Sequence, residues 1–565
     1  MKPADGIPAL RLAIMCDGAT AAAWHARCIE ALIGLSGVEP VVVIMDTRPA
    51  RHPRRRGVSP WWPRWSDRVT RRSQALRSVD LSGLLTGIPH VAVHSDSSRA
   101  RSEDVDEALL ATLARLELDV VLQLSPAPVP ASLPGVARLG VWSMHARGDR
   151  HGNSVLAPGF WEIRRGAAVT AVELRSRTEA NAPTVVGQAF FRTRSHTYVR
   201  TLDDALFGAA VLPARACRAI LAGAEPFAMT DVTDDRVSST TTPTNRDLFA
   251  FAARLFANFV TSQVMAIACS PQWNVGVVDA PVHRFLDPSF RPRVRWIPKA
   301  PRDRFVADPF GLPDGSAREW LVESYDYTTN RGVIAAFDPS GTGAPGRPVL
   351  PVEGHASYPY LLRHRGEVYC VPQLDDAGGI RIFRAVRYPM EWEDAGVLVA
   401  GVVARDATPF EHEGRWWLAF TDAAAPVTDL HVWWADDLLS DWHPHAANPV
   451  KIDVRSARPA GTPFFHDGVL YRPAQDCSRS YGGGVAICRV DTLTPTEFHE
   501  DVVRIIRSMP NGYRRGTHTL ASIGDATLVD GKRLVFTFAG TRRALRSRLS
   551  HLPRNREPAR RGSRG

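Results

Sequence analysis

The 565-residue chain has no apolar run approaching the roughly 20 residues that a membrane span needs, and Met1 to Leu12 lacks the apolar centre of a signal peptide. A cytoplasmic location is the expectation that follows. Cysteine is also scarce. Its seven copies (Cys16, Cys28, Cys217, Cys269, Cys370, Cys477, Cys488) are scattered without metal-ligand spacing, which excludes a zinc motif and a disulfide framework and leaves them as small core residues. No metal-binding loop is legible. The body of the chain also lacks the positive charge that a total of +10 suggests. Arg48 to Arg72 holds nine Arg and one Asp, Thr541 to Gly565 holds nine Arg and one Glu, and the remaining chain carries a net −6. Basicity therefore belongs to a loop and a tail, which argues against a dedicated nucleic-acid-binding fold. It leaves those two segments as candidates for peripheral contact with an anionic membrane.

Several hundred residues with ordinary globular composition are enough for several domains. "LRLAIMCDG", "AAAWHARCIEALIGL" and "VEPVVVIMDT" read as strand, helix and strand. After a basic insertion at 48–72, "DEALLATLARLEL", "DVVLQLS" and "LGVWSMH" continue the alternation. An open parallel α/β sheet over 1–200 follows, with ligands expected at the carboxyl ends of its strands, where His145 lies. Residues 201–270 read as a helical bridge. Within it a Thr/Asn cap precedes Leu248, Phe251, Ala252, Leu255, Phe256 and Phe259 on one face, the pattern of a brace packed between domains.

From Trp273 the texture becomes short β segments with turns. Glycines at 315, 366, 414, 468 and 531 each precede an apolar strand, and "ADPF", "SYPY", "ATPF", "GTPFF" and "THTL" precede the turns. Four of these pieces share a proline, at 309, 359, 409 and 463, spaced 50, 50 and 54. Five copies of a strand, turn, strand unit predict a five-bladed β-propeller over 271–540, ahead of a basic disordered tail at 541–565. The innermost strand of each blade would line a channel. That places Asp308, Tyr358, Asp406 or Thr408, Arg458 and His518 toward its centre, joined by Glu323, Asp326, Arg455, Tyr471, Arg472, Gln475 and Asp476. Carboxylates, arginines and aromatics converging on one channel are the means of binding a sugar and an acidic or phosphorylated group.

Two resemblances add to this reading. Asp119 to Leu174 resembles the formyltransferase fold that moves a formyl group from a folate cofactor to an amine. His145 matches that family's histidine, Ser143 stands in place of its asparagine and Val185 in place of its aspartate, so a degenerate site is implied. A tetrahydrofolate derivative is implied only if that activity persists, and no cofactor is implied for the propeller. Trp273 to Val535, through "WNVGVVDAP", "FVADPF", "VESYDY", "DATPF", "RSARPAG" and "YRPAQDCSRSYGGG", resembles the amino-terminal domain of glucosamine inositolphosphorylceramide transferases. That domain is in turn similar to arabinanase-type and invertase-type propeller hydrolases. The second resemblance implies glycosyl transfer in envelope glycan or glycolipid assembly, with a sugar nucleotide, phosphosugar or glycan as substrate. Asp308 would act as base or nucleophile and Asp406 as acid or stabiliser, with Glu323 as a substitute acid because Gln373 stands where a glutamate is expected. Arg455, Arg458 and Arg472 would hold a phosphate or acidic sugar, beside Asp326, Tyr358, Gln475, Asp476 and His518. A non-catalytic glycan-binding scaffold and a sugar N-formyltransferase are the competing readings.

Overall fold

The computed structural model describes residues 8–48, 59–93, 105–147, 158–179, 183–223, 243–337, 346–375 and 378–536. The tail from 541 and the arginines at 51–56 lie outside these.

The first half is a seven-stranded sheet in the order His90–Val93, Val38–Asp46, Leu10–Cys16, Val120–Gln123, Val141–Ala146, Val169–Arg177, Thr184–Arg192. Its first five strands pair in parallel, while the last two turn back antiparallel. The predicted α/β sheet is present, with an antiparallel extension. Central strands such as Val120–Gln123 are buried throughout because helices cover both faces of a parallel sheet. Two helices that the sequence reading placed in the bridge, Tyr198–Ala209 and Leu212–Leu221, pack into this domain's core through Ala205, Leu212 and Cys217.

The helix Asn245–Ala268 starts at the expected cap, where the Thr244 hydroxyl and the Asp247 carboxylate close a reciprocal box. It is not the buried brace that its periodicity suggested. Phe251 is buried against Phe160, and Leu248 and Leu255 are half-buried, but Phe249, Phe256 and Phe259 are exposed. It is the one helix among the described residues long and apolar enough to cross a membrane. Trp62 and Trp65 of the basic insertion pack on Phe160, and Trp65 also meets Tyr198 and Phe251, leaving Trp61 exposed.

The second half is the five-bladed propeller. Blade one comprises Arg304–Phe310, Trp320–Asp326 and Arg331–Phe337, blade two begins at Ala356–His364, blade three at Ala404–His412 and blade four at Phe464–His466. Blade five closes the ring. Its inner strands Leu520–Ile523 and Ala526–Phe536 come from the carboxyl-terminal side, and its outer strands Cys269–Val278 and Val294–Trp296 from the start of the domain. Ten residue pairs, from Cys269↔Phe536 to Val278↔Thr527, zip the two ends together.

One turn was misplaced by the sequence pattern. The first four hairpins turn at Gly315, Gly366, Gly414 and Gly468, each with positive φ, but the fifth turns at Gly524 (φ 52). Gly531 lies inside a strand opposite Asn274, where a Cβ would come within 2.6 Å of Trp296 and Tyr513. That glycine answers to packing rather than to a turn.

Candidate functional site at the propeller axis

The inner strands of blades one to three break register at one equivalent place. The bulged pairs are Asp308–Pro309, Tyr358–Pro359 and Asp406–Ala407, and the first residue of each takes left-handed φ of 49, 46 and 53. Left-handed backbone is costly for side chains other than glycine, and bulges re-aim the side chains they carry. Three successive blades thus hold strained residues facing one region. Register also settles the choice left open in blade three. Asp406 is the counterpart of Asp308, and Pro409 sits two residues beyond the position of Pro309 and Pro359.

Asp308 is 6% exposed. Its carboxylate accepts from the Thr519 hydroxyl at 2.9 Å and the Tyr358 amide at 3.2 Å, with His518 Nδ1 at 3.5 Å. Burial pushes its pKa up to about 6, the His518 charge opposing and Asp406 and Asp530 adding to the shift. Glu323, buried on the neighbouring strand opposite Ala307, is raised well above the carboxylate range by burial and by Asp308 and Asp406. Asp406 is bound differently. Arg458 grips it with Nε at 2.6 Å and Nη2 at 3.0 Å, and the Gln475 amide donates at 2.7 Å. Arg458 also donates to Gln373 at 3.2 Å, so the glutamine that departs from the expected glutamate is tied into the same network. The Tyr358 hydroxyl meets Thr408 at 2.9 Å and accepts from the Gly461 amide at 3.0 Å.

His518 stacks on Trp273 with centroids 3.8 Å apart and pairs with Asp530. Burial opposes its protonation, but Asp530 and Asp308 prevail and raise its pKa. Asp530 escaped the sequence reading because it precedes the glycine taken for a turn. It also accepts from the His518 amide at 2.8 Å and the Thr519 amide at 3.2 Å. Ligand atoms of Asp308, His518 and Asp530 lie within 4.8 Å of one another, a set able to hold a metal ion.

The structure therefore brings Asp308, Tyr358, Asp406, Arg458, Gln475 and His518 into one network, with Glu323 near enough to feel the Asp308 and Asp406 charges and its own carboxylate 3.9 Å from His355. It places the other candidates elsewhere. Asp326 caps a turn at Thr328 and pairs with Arg304 at 3.2 Å. Arg472 is bound to Glu500, and the Lys451 and Arg472 charges prevail over burial to hold that carboxyl down at about 2. Arg455 pairs with Asp453 and lies 3.7 Å from the Phe190 ring centroid of the α/β domain. Asp476 accepts from the Ser478 amide and pairs with Arg507 at 3.1 Å. Tyr471 stacks on Phe464.

In the α/β domain, Ser143 and His145 line a cavity of about 480 Å³ at the carboxyl ends of the parallel strands. The Ser143 hydroxyl meets His145 Nε2 at 2.7 Å. Val185 is buried in the sheet opposite Arg175 and does not line that cavity, where the carboxylate among the described residues is Asp17. Val185 therefore cannot supply the carboxylate that the formyltransferase resemblance calls for beside the histidine.

Residues 298–518 match the family model described as glucosamine inositolphosphorylceramide transferase 1, N-terminal. The resemblance lies in the propeller. Glucosamine inositolphosphorylceramide transferase 1 of Arabidopsis thaliana is 30% identical over 249 residues, covering 41% of this chain and 32% of that protein. The protein of the same name from Oryza sativa subsp. japonica is 31% identical over 260 residues, covering 43% and 35%. The chain thus spans about a third of the length of these transferases. Among solved structures, the catalytic domain of the Coprinopsis cinerea GH62 α-L-arabinofuranosidase aligns at 14% identity and TM-score 0.30, over 40% of this chain and 82% of that one. Glycinamide ribonucleotide transformylase 1 from Symbiobacterium toebii aligns at 14% identity and TM-score 0.26, over 38% and 89%. Both likenesses are too distant to add to the geometry.

Proposed function

We propose that the propeller axis transfers a glycosyl unit from an activated donor to a glycolipid-type acceptor. The observation that carries this reading is the division of labour among three buried carboxyl groups. Glu323 and Asp308 lie on paired strands and burial pushes both up, whereas Asp406 is clamped by a bidentate guanidinium. Environments that separate neighbouring carboxyl groups assign acid and base roles. Asp308 takes the proton of the incoming acceptor hydroxyl, Glu323 is the protonated group available to the departing oxygen, and the Asp406–Arg458 pair fixes charge beside the sugar cation. The relatives' names favour an amino-sugar donor and an inositolphosphoryl lipid as acceptor.

The test is transfer of radiolabelled sugar from UDP-N-acetylglucosamine and related nucleotide sugars to inositolphosphoryl lipid, with Asp308→Asn and Glu323→Gln run in parallel. Transfer lost in both variants with donor binding retained supports the assignment. Donor binding without turnover in the native chain would instead make the propeller a glycan-binding scaffold.

A further inference from the structure

The arginines expected to hold phosphate are engaged with carboxylates: Arg458 with Asp406, Arg472 with Glu500 and Arg455 with Asp453. Two other cations are not. Lys532, one of four lysines in the chain, is 7% exposed. Its ammonium donates to Ser480 Oγ at 3.1 Å and to the Tyr481 carbonyl, and it lies 5.1 Å from the centroid of Trp273, the ring stacked on His518. Arg192, at the end of the last strand of the α/β domain, reaches the same loop and donates to the Arg479 carbonyl at 3.0 Å. Neither side chain has a carboxylate within ion-pair distance among the described residues.

Lys532 is buried and Arg192 half-buried at the same loop, each donating there to neutral oxygen atoms. Desolvated cations without a counter-ion are costly, and two of them beside one loop repel each other. An arrangement of this kind is relieved by an anion.

We propose that Arg192 and Lys532 form a phosphate seat beside the channel, one aromatic ring away from His518, to which the α/β domain and the propeller each contribute one cation. Only the carrier of the phosphate rests on the glycosyl-transfer reading. A nucleoside diphosphate donor and the phosphodiester of a lipid head group present the same chemistry to it.

The test uses the full chain in chloride of matched ionic strength, with thermal midpoints and calorimetric titration against inorganic pyrophosphate, UDP and glycerophosphoinositol. Pyrophosphate is expected to raise the midpoint, and Arg192→Gln and Lys532→Met are each expected to weaken its binding at least tenfold. Lys532→Met should melt no lower than the native chain when anion is absent, because it removes an unpaired buried charge; a purely structural lysine would give a lower midpoint. Preference for UDP or for glycerophosphoinositol identifies the carrier, and either supports the seat. Asp308→Asn should bind pyrophosphate like the native chain, so a seat that binds in a protein without transfer activity separates this inference from the proposed reaction. No shift with any of the three compounds, or binding unchanged in both cation variants, overturns it.

Discussion

Asp308 interrupts the apolar strand "FVADPF" because its bulge aims it at the propeller axis, not at a core. Its carboxyl is raised to about 6, so the folded chain holds that proton more tightly than the unfolded chain. The stabilisation this brings is complete below roughly pH 4, the unfolded value, and is lost as pH rises through about 6. Asp308→Asn is therefore expected to raise the thermal midpoint at pH 8 relative to the native chain and to flatten its dependence between pH 4 and 6. Parallel melting curves across that range would remove the perturbed carboxyl from the account. If Asp308 is the base, transfer should also fall as pH drops below about 6. Arg458 gives a second case. Removing it leaves Asp406 buried without its guanidinium, a loss on the order of 3–5 kcal/mol. Urea unfolding of Arg458→Ala should show it, with Arg458→Lys recovering only part because an ammonium cannot reproduce the two-pronged grip. The sequence pointed to Asp308 because a charge inside an apolar strand has to be paired or used, and to Arg458 through its place ahead of the fourth copy of the repeated piece. Arg455 and Arg472 looked equivalent to Arg458 because composition does not reveal which carboxylate an arginine will meet.

The hairpin repeat was legible at the level of elements because four turns need a residue at positive φ and glycine supplies it cheaply. Glycine has a second use, close packing, and Gly531 served that one while imitating the first. A 50-residue proline period likewise concealed a two-residue slip in blade three, which only the pairing register exposes. The two uses of glycine make a testable contrast. Gly461 has φ 132, and a Cβ there would lie 2.0 Å from the Leu520 carbonyl oxygen, where inner strands of adjacent blades touch. Gly468 has φ 75 with nothing within 4 Å. Gly468→Ala should cost about 1 kcal/mol from backbone strain alone. Gly461→Ala should cost well over about 2 kcal/mol because the backbone itself must move, and it should also release the Tyr358 hydroxyl. Equal denaturant midpoints for the two variants would contradict this.

At the scale of the whole molecule, the two halves are joined by more than a linker. The Val454 amide donates to the Phe190 carbonyl at 2.9 Å, and Arg215 and Arg218 donate to Val450 and Asn448 carbonyls at 2.6 Å across 235 and 230 residues of sequence. Ile452, from the edge of blade three, is counted in the core of the α/β domain. None of this was legible, because periodicity identifies an apolar face without identifying its partner. The helix Asn245–Ala268 shows the same limit, with much of its apolar surface exposed. The joined core predicts that the full chain unfolds in one calorimetric transition. The propeller expressed alone from Cys269 should melt lower, because Ile452 then faces water and Arg455 loses the Phe190 ring. Ile452→Asp in the full chain should uncouple the halves into two transitions, since an unpaired carboxylate cannot remain in that core. Two independent transitions in the native chain, with the propeller melting at the same temperature alone and in place, would show that the interface contributes nothing to stability. The α/β domain could then reach the channel only as a mobile neighbour rather than as a fixed wall.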